Sequence, residues 1–118
     1  MHFEPRIAFS VAEHEAPGLE AVVNFGILTG REATLAEVDD LARQLVSEAG
    51  RLEIIAERRY EFDERSGAEV HLVRVIVPAD LLPWQEEELQ RLRELVVARS
   101  EHWARACAAR RQLELADL

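Results

Sequence analysis

The C-terminal tract from Pro83 to about Ala116 contains no glycine and no internal proline, and it reads as one helix. At ~1.5 Å per residue it would span roughly 50 Å. A domain built from the rest of the chain should measure only about 25–30 Å across. A helix that outruns its domain must bend back, or pack on something the chain does not supply. The tract therefore points to assembly. Pro83 at or near the first helical position suits a missing amide, and Glu86, Glu87 and Glu88 complement the macrodipole. Leu89, Leu92, Val96, Arg99, Trp103, Ala106, Arg110 and Leu113 step by three and four, a heptad-like seam interrupted by two arginines. Residues 84–98 read as a cover for the chain's own sheet. Residues 99–116 are alanine-rich and basic, and they are expected to project as an oligomerisation helix.

Charge sharpens that expectation. The net charge is −9, and acids dominate residues 1–80, whereas residues 96–111 carry Arg99, Arg105, Arg110 and Arg111 against Glu101 alone. A basic distal helix and an acidic body suit helix-on-body contact, most simply with a second copy. The same balance argues against nucleic acid as the main partner, since phosphate binding depends on cationic neutralisation. The basic charge is all arginine, so no lysine Schiff base and no lysine phosphate clamp can operate.

The 118 residues bound one domain with one modest core. No run approaches the ~20 apolar residues of a membrane span, and the N-terminus lacks the pattern of a signal peptide. A cytoplasmic location without membrane contact is the expectation. Cys107 is the only cysteine, which excludes an intrachain disulfide and a cysteine-rich metal site. No zinc spacing, phosphate loop, nucleophile elbow or dinucleotide fingerprint is present, and no metal or cofactor is expected.

Along the chain, residues 6–12 alternate as a strand, residues 14–18 break it, and residues 19–28 form a second strand with Val23, Phe25 and Ile27 on one face. Thr34 and Glu37 make a capping box that opens a helix, and Gly50 is its natural stop. Residues 52–63 form a long strand. Arg65-Ser66-Gly67 reads as a three-residue hairpin loop with glycine in the left-handed position, and residues 69–77 return. The order is β-β-α-β-β-α. The expected fold is α+β: a four-stranded antiparallel or mixed sheet, ferredoxin-like in its layering, with helices packed on one face and a long C-terminal helix.

The loop just described sets a register. It places Phe62 opposite Val70, Tyr60 opposite Leu72, Arg58 opposite Arg74 and Ala56 opposite Ile76. Arg58 and Arg74 would then lie side by side among apolar neighbours, which like charges tolerate only around an anion or a carboxylate. With Tyr60 they form a candidate ligand-binding site for an anion; a core-facing or partner glutamate bridging the two arginines, or a different register, is the structural alternative. His71, expected near Glu61 on the other face, is a weak candidate for a general base. Val73, Val75 and Val77 lie opposite the face of Leu72 and Ile76, so the last strand is apolar on both sides. With only two helices to cover it, Val73, Val75, Val77, Arg99, Trp103 and Arg110 are candidate interface residues of a homodimer or higher oligomer. Two other functions stay open. One is a small-ligand enzyme or binding protein. The other is an acidic inhibitor or immunity-type protein that caps a basic protein partner.

Overall fold

The computed structural model describes the backbone of residues 7–12 and 18–116 and the side chains of residues 18–111 and 113. The chain is α+β, with an antiparallel sheet and a long C-terminal helix. Its strands are β1 (Ile7–Ala12), β2 (Gly18–Asn24), β3 (Glu53–Phe62) and β4 (Gly67–Pro78). Its helices are α1 (Phe25–Thr29), α2 (Leu35–Ala49) and α3 (Glu86–Ala116). The strands run in the order β1-β2-β4-β3, every neighbour antiparallel. Strands β2 and β3 are therefore parallel to each other with β4 between them, a split β-α-β unit. The element order is not the β-α-β-β-α-β of a ferredoxin-like chain. The break expected at residues 14–18 lies, apart from Gly18, outside the described residues, as does His14.

Two expected boundaries move. The second strand ends at Asn24 rather than at residue 28, because the Asn24 side chain accepts from the Ile27 amide and caps α1. Thr29 closes that short helix by donating to the Phe25 carbonyl, and Gly30 follows with φ of 74°. Ile27 turns outward as a result. At the other end, Pro83 does not open the long helix. Ala79–Leu81 forms a 3-10 turn, and α3 begins at Glu86.

The capping box of α2 is present in both halves: Thr34 Oγ1 accepts from the Glu37 amide, and Glu37 accepts from the Thr34 amide at 2.9 Å. Gly50 ends the helix at φ of 84°. Glu37 is nevertheless not on the solvated side. It is buried and held by both guanidinium nitrogens of Arg31, at 2.7 and 2.9 Å. That clamp fixes the loop between α1 and α2, and Arg31 also lies over the Phe25 ring at 5.6 Å.

The core lies between the sheet and the helices. Leu19, Ala21 and Val23 of β2 face Val77, Val75 and Val73 of β4, and all six are buried. Leu41 and Leu45 of α2 meet them with Val96, Trp103, Ala104 and Cys107 of α3. This reverses the reading of the long helix. Its well-buried residues are Val96, in the stretch expected to cover the sheet, and Ser100, Trp103, Ala104 and Cys107, in the stretch expected to project, and the part before Val96 is only half covered. Small side chains at Ser100, Ala104 and Cys107 let the helix axis approach the sheet closely. Trp103 fills the space towards α1, its ring 5.2 Å from that of Phe25. Of the expected interface residues, Val73, Val75, Val77 and Trp103 are thus spent on the chain's own core. Arg99 and Arg110 stay exposed. The molecule's longest dimension is 48 Å, about the length of the 31-residue helix α3 itself.

Candidate interaction surface

The register of the last hairpin decides where its polar side chains go. Asp63 Oδ1 accepts from the amides of Arg65 and Ser66, both at 2.8 Å, and the Asp63 amide donates to the Ser66 carbonyl at 2.9 Å. The turn is therefore made by Asp63 to Ser66, an aspartate side chain standing in for a backbone turn. Gly67 is not left-handed; it opens β4 opposite Phe62. A Cβ at Gly67 would meet the Phe62 ring at 2.5 Å, so the ring lies over the bare glycine backbone.

The expected pairs are corrected accordingly. Arg58 stands opposite His71, Tyr60 opposite Glu69, and Arg74 opposite Ile55. The shift is an odd number of residues, and an odd slip carries every side chain to the other face. Arg58 and Arg74 therefore lie on opposite faces of the sheet and cannot hold one anion between them.

On the helix-side face, Arg58 donates from Nε to Glu69 at 2.9 Å and lies 3.6 Å from Glu32. Hydrogen bonding with Tyr60, then Glu69 and Glu32, holds its guanidinium above the ordinary arginine value. His71 is on this face, not beside Glu61. Its Nε2 lies 3.4 Å from Glu69, and its ring packs on Gly26 of α1. The structure thus gathers Arg58, Tyr60 and His71, adds Glu69 and Glu32, and leaves Arg74 out.

Arg74 has its own partners on the far face. Its Nε donates to Glu20 at 2.6 Å and its Nη1 to Glu57 at 3.2 Å, while Arg59 donates twice to Glu57, at 2.9 and 2.6 Å. The row Glu20–Arg74–Glu57–Arg59 crosses three strands. Arg59 and Arg74 together hold the Glu57 carboxyl below its ordinary value. Glu20 is only 8% exposed. Val22, Leu72, Ile76 and Ile55 flank the row, and the helices lie on the other face. A glutamate bridging Arg58 and Arg74 is ruled out by their opposite faces; the glutamate that joins two arginines is Glu57, between Arg74 and Arg59, and Glu20 is the second partner of Arg74. Glu20 is the one charge in β2, a signal that a buried counter-ion was needed in that strand.

Beyond Leu72 strand β4 has no β2 neighbour, so residues 58–71 continue as a two-stranded arm. Every residue from Arg58 to Glu69 is exposed, including Tyr60 at 59% and Phe62 at 78%. Among the described residues, nothing pairs with the outer edge of β3. Two shallow concavities lie elsewhere. One, of about 360 Å³, sits between Glu48 and Ala49 of α2 and Leu92 of α3; the other, of about 450 Å³, is on α3 around Gln90 and Val97. Among the described residues no three His, Cys, Asp or Glu side chains gather to hold a metal ion, and no helix is long and apolar enough to cross a membrane. Comparison with protein families, curated proteins and solved structures found no match to this chain.

Proposed function

We propose that this chain is a self-associating interaction module of the cytoplasm, with no catalytic chemistry of its own, and that its contact surface is the projecting β3–β4 arm. One observation carries the reading. The helix-side face of the sheet is filled by the chain's own helices, whereas the arm leaves the body with two aromatic rings in solvent and an open strand edge. Exposed edges of that length are templates for pairing with another chain, and aromatic side chains are the enriched anchors of protein interfaces. The long helix, which its length alone marks as an assembly element, is occupied within the chain from Val96 to Cys107.

The anion-site reading is left with Arg58 and Tyr60, and Arg58 is already compensated by Glu69 and Glu32. Light scattering on a sizing column tests assembly. The wild type should elute at twice its 13.4 kDa mass at high micromolar concentration. A Tyr60→Ser, Phe62→Ser variant should elute as a monomer with an unchanged circular dichroism spectrum. A strictly monomeric wild type would overturn the proposal.

A further inference from the structure

Resting on the self-association just proposed, we infer that two copies pair their β3 edges antiparallel about a two-fold axis through Arg58. The direction of the free backbone groups supports this. The Asp63 amide donates to the Ser66 carbonyl, which makes those residues a hydrogen-bonded pair. Bonded and non-bonded pairs alternate along an antiparallel ladder. The odd-numbered residues of β3 therefore point their amides and carbonyls at β4. Ile54, Ala56, Arg58, Tyr60 and Phe62 point theirs at the open edge. A two-fold axis normal to the sheet keeps the side-chain faces matched, so it sets even residues opposite even ones.

Charge selects among these registers. With the axis through Arg58, Glu57 faces the partner's Arg59 on one face, twice over by symmetry. On the other face, Ala56 meets the partner's Tyr60, and Ile54 meets the partner's Phe62. The exposed rings then cover the apolar base of the other copy's strand. An axis through Glu57 sets Glu57 against itself and Glu53 against Glu61. An axis through Arg59 sets Arg59 against itself and Glu57 against Glu61. Like charges directly opposite disfavour both. An axis through Ala56 sets Glu53 against Arg59, and one through Tyr60 sets Arg59 against Glu61 but Glu57 against Asp63; both shorten the overlap and leave Phe62 or Ile54 without an opposite strand residue. Arg58 faces its own copy on the chosen axis, and each guanidinium there brings its own Glu69 at 2.9 Å. The chosen register also meets like charges, at Arg58 on the axis and at its ends, where Glu53 faces the partner's Asp63; what sets it apart from its neighbours is the pair of Glu57–Arg59 contacts beside the axis and the full overlap of the two strands.

Cysteine cross-linking reads the register. A residue on the axis lies about 5.5 Å from its own copy, Cα to Cα, within disulfide reach. Arg58→Cys should form a covalent dimer under mild oxidation. Ile54→Cys and Phe62→Cys should each stay largely uncross-linked alone, and should cross-link when mixed. Arg58 and Phe62 are exposed, Ile54 is half-buried on the edge strand, and Cys107 is buried. If the wild type is a dimer by light scattering and Arg58→Cys does not cross-link, the register is wrong and the self-association stands. If the wild type is a monomer, both fall.

Discussion

Trp103, deep in α3, donates its indole N–H to the backbone carbonyl of Glu37 in the first turn of α2, at 2.9 Å across 66 positions of sequence. The bond satisfies the one polar atom of the largest buried side chain. It also ties the long helix to the capping box that starts the shorter one. Trp103→Phe should keep most of the apolar contact and lose the bond, costing about 1–3 kcal/mol. Trp103→Ala should cost about 3–5 kcal/mol through the cavity it leaves. Urea unfolding followed by circular dichroism measures both. A Phe variant no less stable than wild type would remove the bond from the account.

Glu37 makes stability depend on acid. The Arg31 guanidinium, opposed by burial and aided by the Thr34 amide, lowers its carboxyl from an ordinary 4.5 to about 2. A carboxyl depressed on folding stabilises the chain above its ordinary value, and that contribution is lost as pH falls towards the folded value. Glu37→Gln should therefore cost about 2–3 kcal/mol at neutral pH. It should also flatten the loss of stability between about pH 5 and pH 2. A variant whose acid limb overlays the wild type would show that the clamp contributes nothing.

Cys107 should be chemically silent in the folded chain. Burial, then the Glu37 carboxylate beside it, pushes the thiol up to about 12. Thiolate is the reactive form, so an aromatic disulfide reagent at pH 8 should label Cys107 only as fast as the protein unfolds. Immediate stoichiometric labelling in native buffer would contradict the packing. A thiol raised on folding also makes alkali destabilising, with the loss setting in as pH climbs from about 9 towards 12.

Arg74 ties Glu20 of β2 to Glu57 of β3 across the sheet. Arg74→Ala strands the Glu20 carboxylate, which has little solvent of its own. The expected loss is about 2–3 kcal/mol, below that of a wholly buried pair because Arg74 keeps some solvent contact. Pairing Arg74→Met with Glu20→Leu should recover most of it, since apolar pairs of similar volume often replace buried ions without loss. A double variant as unstable as the single one would point to a different role for Arg74.

What the sequence determined by itself was local. Thr34, Glu37 and Gly50 marked both ends of α2, because a cap is written within a few adjacent residues. Alternation marked the strands β3 and β4, and an uninterrupted tract marked α3. Only tertiary structure decided the faces. The Asp63 side chain made the turn in place of Gly67, and that odd shift in register put Arg58 and Arg74 on opposite sides of the sheet. Nor did the sequence show which half of the long helix is buried. Small residues there read as weak packing, and they are what let α3 come close enough for Trp103 to reach the carbonyl of Glu37. Burial depends on what lies opposite, and opposite residues are distant in sequence.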